Sequence, residues 1–477
     1  MTNPTSQIES VQGISRRDLL QGASAGIAAS LGASMLPTVG YSQRPGQSVG
    51  GSTPAASAAL TPASMPKGFS VDEYTRRWQR VRALMKQRNL DCLIVPGGGA
   101  EYPDEPSDVA YLTGGGGGWI VFPHDGKVAA IGARGDESGE NEAAVESRPD
   151  GRAPGSLLGN AVAGQWSGAL IKILREKGMT RARIGVGALS GVPRNEEGGV
   201  SYTTLDRVIK ALPQAKFESA EDVMIKAKLV RTPAEIEVME KADEVAEVGV
   251  KVMLETARPG VSLQDLWLKM YEGMLRASDL SGAIAFDVGG GGPRMLGSFS
   301  EPRTGPPPHN RTLPAGRTMR QEISGTVLGY RMQVMHTVYL GSPAPKEWDA
   351  AGKYCVEVFD KLLAFIRPGK TMKELNDFYV SLLAAKGFQY DKTDSNVFFH
   401  MGQGPRMGPY RPEGKDLVVE EGWVFHTVKP VVPFGPNPSS VHARETGTYA
   451  QFGDGVLVMA NGSRRLGKRK LEVLSLG

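Results

Sequence analysis

Between Gly316 and Gly341 the chain reads GRTMRQEISGTVLGYRMQVMHTVYLG. Met319, Ile323, Val327, Val334 and Val338 alternate loosely with polar residues, the period of half-buried strands, and Gly325 and Gly329 punctuate the middle. Glu322, Gln333 and His336 lie inside this apolar pattern, although strands that only fill a core have no need of them. Five of the six histidines, His309, His336, His400, His426 and His442, fall in the same half of the chain. Imidazole takes and returns a proton near neutral pH, so this half carries candidate acid/base groups. Lys429 follows His426 by three residues. Arg303, Arg406, Arg411 and Arg444 are available to an anion.

These residues need a scaffold, and the 477-residue chain is long enough to bury more than one core. A net charge of +4 is small for this length and argues against a nucleic-acid groove. The basic run Arg464 to Lys470 reads as a solvated end. Cys92 and Cys355 lie in apolar contexts and read as small buried hydrophobes. At the other end, Arg16-Arg17 precedes an Ala/Gly-rich run to about Leu36, too small-sided and short for a transmembrane helix. This resembles a twin-arginine (Tat) export signal and implies a periplasmic mature protein with no membrane contact after signal removal. A Ser/Gly/Pro/Ala-rich linker follows, so residues 1–66 are set apart from the fold.

Residues 67–225 read as an α/β layer domain. A helical face of Tyr74, Trp78, Val81, Leu84 and Met85 precedes the strand Asp91 to Val95. A hairpin around Asp125-Gly126, a helix from Ser167 to Lys177 and the strand Arg183 to Val186 come next. The glycine run Gly114 to Gly118 reads as a loop with little phosphate-binding prospect. From residue 226 to 477 the pattern changes to α+β. Thr232-Pro233-Ala234-Glu235 is a capping box with proline at the first helical position. Val238, Ala242, Val245, Gly249 and Val252 then share one helical face. A second helix starts near Ser262, and two more run from Trp348 to Ile366 and from Met372 to Lys386. Two helix pairs, each followed by strands, suggest an internally duplicated unit.

Leu229-Val230-Arg231-Thr232-Pro233-Ala234-Glu235-Ile236, the later Arg258-Pro259-Gly260 and the order of elements resemble the pita-bread family of prolidase, aminopeptidase P, methionine aminopeptidase and creatinase. The N-terminal α/β domain is similar to the one that precedes this fold in prolidase and creatinase. In metal-dependent members the hairpin carries two aspartates. Laid on Gly316 and on Gly329-Tyr330, those positions fall on Glu322 and Gln333. The family's ligand histidine matches Gln403 in Gly402-Gln403-Gly404. Its next glutamate matches Lys429 when anchored on Pro430, or Val428 when anchored on Val424-Phe425. Its last glutamate matches Gly453, with Asp454 alongside.

Two divalent ions need several anionic oxygens and usually an imidazole. One carboxylate, two amides, an ammonium or a valine, and a glycine do not supply them, so neither a metal nor another cofactor is expected. Creatinase, by resemblance, hydrolyses a C–N bond without metal, using a histidine. His309 and His426 are the candidates for that role. His309 reads either as the proton carrier or as a loop histidine capping carbonyls. Strand alternation puts His426 on the face opposite Lys429 unless a bulge intervenes. His336, His400 and His442 read as structural.

Glu322 needs a partner once no cation is bound, and Lys429 is the natural one. Their pair is either purely structural or catalytic, with Lys429 polarising a carbonyl or serving as a base. Gln333, Gln403, Arg406 and Arg411 would bind a small polar or aromatic-polar substrate. Trp119 and its preceding loop would close the site from a neighbouring subunit, since relatives such as creatinase are dimers. The reading is a metal-independent enzyme, a hydrolase or a lyase. A non-catalytic relative binding a small molecule or partner in the old pocket is the alternative, and a metallopeptidase of the Xaa-Pro type is disfavoured.

Overall fold

The computed structural model describes residue 66, residues 68–97, 107–114, 118–131, 145–148, 165–189, 198–278, 283–288, 295–298, 311–388, 399–400, 415–435 and 448–477. Helix α1 (Val71–Gln87) is capped by Ser70, whose side chain accepts from the Glu73 amide. Strand β1 (Cys92–Pro96) follows, then the short helix α2 (Asp108–Thr113). Next come β2 (Trp119–Pro123), β3 (Val128–Ile131) and β4 (Val145–Arg148). Helix α3 (Gln165–Glu176), β5 (Arg183–Val186), α4 (Tyr202–Ala211), β6 (Lys216–Ser219) and α5 (Glu221–Leu229) complete the first layer structure. The strands lie in the order β4-β3-β2-β1-β5-β6.

Alternation divides the continuous apolar run of β1 between two cores. Leu93 and Val95 join Tyr74, Trp78 and Val81 of α1 on one face. Cys92 and Ile94 join Leu170, Ile173 and Leu174 of α3 on the other. Both cysteines are free and fully buried, and burial pushes their thiols up to about 12, so they pack as small hydrophobes.

The second half opens on α6 (Pro233–Thr256), whose Thr232–Glu235 capping box forms as the sequence predicts. Helix α7 (Leu263–Ala277) is capped by Ser262. Strands β7 (Ala283–Val288) and β8 (Met295–Ser298) lead to β9 (Arg317–Val327), β10 (Tyr330–His336) and β11 (Val338–Leu340). Helices α8 (Lys346–Phe365) and α9 (Met372–Ala384) form the second pair. The chain ends with β12 (Phe399–His400), β13 (Val424–Val428), β14 (Val431–Pro433), β15 (Tyr449–Met459), β16 (Gly462–Arg465) and β17 (Ser475–Leu476). The main path of this sheet is β12-β13-β15-β10-β9-β11-β17.

The β9–β10 turn is two residues long. Leu328 (φ 48°) and Gly329 (φ 81°) both lie in the left-handed region, which matches the twist of the flanking strands. Gly325 does not bend the chain. It stays in β9, paired with Met332, and a Cβ there would strike the Ala242 carbonyl of α6. The glycine therefore serves close helix-on-sheet approach.

The two halves are joined through buried polar groups. Glu73 of α1 accepts from Arg77 at 2.9 Å and from the Thr232 hydroxyl at 2.6 Å. Glu235 closes the capping box with one oxygen and accepts from the Tyr330 hydroxyl at 2.7 Å with the other. The turn of the polar hairpin is thereby tied to the start of α6. Among the described residues no helix is long and apolar enough to cross a membrane.

Candidate active site

On β9, Met319, Ile323 and Val327 pack towards α6 and α7, as do Tyr330, Met332 and Val334 of β10. Period two therefore turns Arg320, Glu322 and Ser324 of β9, and Arg331, Gln333 and Met335 of β10, to the opposite face. Register does the rest. Glu322 pairs with Met335, and Met335 pairs with Gly453 of β15, so the three form one row across three strands. Ser324 stands opposite Gln333.

Lys429 reaches this face from the end of β13. Its Nζ donates to Gln333 Oε1 at 3.0 Å and to Glu322 Oε1 at 3.4 Å. Of the two anchors for this strand, the one on Pro430 matches the geometry. Val428 packs in the core against α8, and Lys429 enters the site. The Lys429 and Glu322 side chains are 15% and 25% exposed, so the pair is screened only in part. Arg320 adds a second cation at 3.5 Å from Glu322 Oε1 and donates to Gln451 Oε1 at 3.0 Å. The Gln451 amide in turn donates to the Lys429 carbonyl at 3.3 Å, and its backbone is held by Thr337.

Arg320 and Gln451 are the residues that sequence reading missed. Each lies two residues before a matched position, Glu322 or Gly453, and so shares its face. Period two carried that signal, but only register reveals that the two side chains meet.

The strand β13 carries the bulge on which His426 depended. Phe425 pairs with Val456 and Val428 with Asp454, three residues against two. Phe425 and Val428 both pack in the core against α8. His426 and Thr427 lie at this shift, and period two from Lys429 puts Thr427 on the face of Lys429. Both are buried. His336 is a different case. It is enclosed on the helix side against the edge of Phe452, at 5.2 Å between rings. Burial, with the Arg469 charge nearby, holds its ring neutral and lowers its pKa to about 3. It is structural, as the sequence suggested.

Trp119 is not brought to this face. It lies in β2 between Pro96 and Ile131, buried among Ile94, Val121 and the residues of α3. With 6% exposure it offers little to a neighbouring subunit, a correction to its expected role in closing the site. The physical reason is that β2 is an inner strand, covered on both faces. His309, Gln403, Arg406 and Arg411 lie outside the described residues, as do Arg303, His442 and Arg444.

The basic run near the C-terminus departs from expectation in part: Lys468 and Lys470 are exposed, but Arg465 and Arg469 turn inward. Glu240, Glu244 and Glu247 stand one helical turn apart on α6 and take Arg464, Lys468 and Arg469 respectively. Arg469 also donates to Asp454 Oδ2 at 2.7 Å. Asp454 points away from Lys429, towards Asp243 and Glu247. Although these three carboxylates could gather a cation, Arg465 and Arg469 already bring positive charge to them. Burial first, and then the Asp454 charge, raises the Asp243 carboxyl well above the usual carboxylate range.

Residues 237–460 match Metallopeptidase family M24, and residues 77–230 match the Creatinase/Prolidase N-terminal domain. The chain belongs to the creatinase/prolidase pita-bread family. It is 24% identical over 379 residues to ectoine hydrolase of Halomonas elongata, covering 75% of this chain and 89% of that protein. It is 25% identical over 299 residues to an Xaa-Pro dipeptidase of Pyrococcus furiosus, covering 58% and 74%. Its fold superposes on an Xaa-Pro dipeptidase from Bacillus anthracis with a TM-score of 0.63 at 16% identity, over 84% of this chain and all of that one.

A metallopeptidase family implies a metal centre, and the pita-bread frame permits a test of the donor set. Its described positions hold the Glu322 carboxylate, the Gln333 amide, the Lys429 ammonium and Gly453, which has no side chain. An ammonium among the ligands repels a divalent ion, and one carboxylate cannot balance two. These residues do not fit a dinuclear metal.

Proposed function

We propose that this protein is a hydrolase that cleaves a C–N bond of a small polar molecule without a divalent metal. The observation that carries the reading is the Lys429 ammonium bridging Gln333 and Glu322 at family ligand positions. A fixed cation in a partly dry site stabilises negative charge on a carbonyl oxygen as water adds. His426, at the β13 bulge three residues before Lys429, accepts the proton of the attacking water and returns it to the leaving nitrogen as the C–N bond breaks. His309 is the alternative proton carrier. Gln333 orients the ammonium, and Arg320 with Gln451 fixes the backbone that carries it. Relatives named for ectoine and for Xaa-Pro dipeptides support hydrolysis of small substrates. A lyase reaction would use the same proton carrier.

The second reading is a binding protein without turnover. The contacts that Lys429 makes to Glu322 and Gln333 favour it, since they satisfy a purely structural pair. Two further proposals come from the sequence: export to the periplasm through the twin-arginine segment, and assembly as a homodimer.

The test joins metal analysis to substitution. Purified protein is expected to hold no stoichiometric Mn, Co or Zn. In an untargeted metabolite screen, turnover is expected to be lost in Lys429→Met and to fall by about a hundredfold or more in His426→Ala. Two metal equivalents lost together with activity on chelation would overturn the reading. Unchanged turnover in Lys429→Met with lowered stability would leave Lys429 a structural role.

A further inference from the structure

The site is assembled from two pieces of the sheet. Glu322 and Gln333 sit on the β9–β10 hairpin, paired over six residue positions from Tyr330 to Met335. Lys429 follows directly on β13, whose hydrogen-bonded path to the hairpin runs through β15. Between β10 and β15 the in-register pairs are Met335 with Gly453 and His336 with Phe452. One residue on, the Thr337 amide and hydroxyl donate to the Gln451 carbonyl at 3.2 and 2.8 Å, so the junction is a short hinge across the middle of the site.

Arg469 spans that hinge from behind. One guanidinium nitrogen donates to the Met335 carbonyl of β10 at 3.1 Å and to the Gly453 carbonyl of β15 at 2.7 Å. The other donates to Asp454 at 2.7 Å and lies 3.5 Å from Glu247 of α6. The Arg469 amide donates to the same glutamate at 2.8 Å. Its side chain is 10% exposed. Met335 and Gly453 are the two members of the row that begins at Glu322, and Gly453 lies directly beneath Lys429. A planar fork with several donors can hold two strands and two carboxylates together, whereas an ammonium cannot.

We infer that Arg469 is a positioning residue, a staple between β10 and β15 that holds Lys429 against Glu322 and Gln333. It touches none of these three side chains and acts through the backbone of the row. The inference rests on reading Lys429, Glu322 and Gln333 as the site.

The experiment compares Arg469→Ala, Arg469→Lys and a control, Arg464→Ala, which removes a clasp to α6 without touching either carbonyl. Two readouts are taken on each folded variant by mass spectrometry. One is amide exchange in peptides covering residues 333–337 and 451–455. The other is acylation of Lys429 by an amine-reactive reagent, relative to exposed lysines. Arg469→Ala is expected to speed both by about tenfold or more, as the charge-assisted hydrogen bonds to the Met335 and Gly453 carbonyls and to Asp454 are lost. Arg469→Lys is expected to restore them in part and Arg464→Ala to change neither. Should Arg469→Ala not fold, Arg469→Gln, which keeps one amide donor, takes its place with the same expected increase. Unchanged Lys429 acylation in a folded variant, or an equal change in Arg464→Ala, would overturn the inference. Failure of the site reading shows separately, as turnover or binding unaffected by Lys429→Met while the Arg469 effects persist.

Discussion

A Cβ on Gly453 would lie 2.7 Å from the Cβ of Lys429 and 2.8 Å from the Val428 carbonyl. The two positions therefore depend on each other. Lysine can lie over this point of β15 only because β15 presents no side chain there. The absent side chain at one matched position and the added charge at another are one structural change.

Gly453→Ala is accordingly expected to destabilise the protein by about 1–3 kcal/mol, because the strand or Lys429 must give way. Chemical denaturation measures the loss. A displaced Lys429 would also acylate faster than in the parent. A neutral substitution would mean that the backbone relaxes freely there.

Tyr330→Phe removes the hydroxyl that donates to Glu235, at the point where the hairpin turn meets α6 and the Arg77–Glu73 pair of α1. The carboxylate keeps its capping bond and loses one buried donor. A loss of about 1–3 kcal/mol is expected. Amide exchange of residues 327–331 should rise more than that of β15, since the bond anchors the hairpin locally.

His336 shapes the acid side of the stability curve. Its folded pKa, about 3, lies below the unfolded value near 6.5. Between these values the unfolded chain binds the proton and the folded chain does not, so stability falls as pH falls from about 6.5 towards 3. Denaturation midpoints of His336→Gln across this window should show a shallower acid limb than the parent. An identical slope would exclude the histidine as its source.

Glu221 acts in the opposite sense. Burial, and then Asp108, raise its pKa from 4.5 to about 7, while the Ala188 amide donates to it. Here the folded state holds the proton longer. Its contribution is fully present below pH 4.5 and is lost as pH rises through about 7. Glu221→Gln should flatten the decline between those values, read by the same denaturation series. A decline that persists unchanged would assign it to another group, such as Asp243.

Much of the fold was legible because its signals are local. Thr232 with Glu235 caps α6, Ser262 caps α7, and Asp125-Gly126 turns a hairpin, each through contacts within a few residues. Asp91 to Val95 read as a buried strand because the four residues after Asp91 are all apolar. The hairpin of the site was also legible, down to the polar face of Glu322 and Gln333. Trp119 misled because an aromatic beside a glycine run looks the same whether its strand is inner or edge. The run Arg464 to Lys470 misled because its acidic partners on α6 lie more than 220 positions earlier.

By itself, the sequence determined which side chains share a face, since period two and period 3.6 follow from backbone geometry alone. By resemblance to the pita-bread family, it also matched Glu322, Gln333, Gln403, Lys429 or Val428, and Gly453 to the ligand positions. Only the tertiary structure decided what those side chains meet. The bulge in β13 shifted the pairing around His426, the register of β9, β10 and β15 aligned Glu322 with Gly453, and the return of the C-terminal run put Arg469 behind them. Each depends on pairing between strands distant in sequence, where a shift of one residue reverses every face. Such pairing is chosen by the packing of the whole sheet and is written in no single segment.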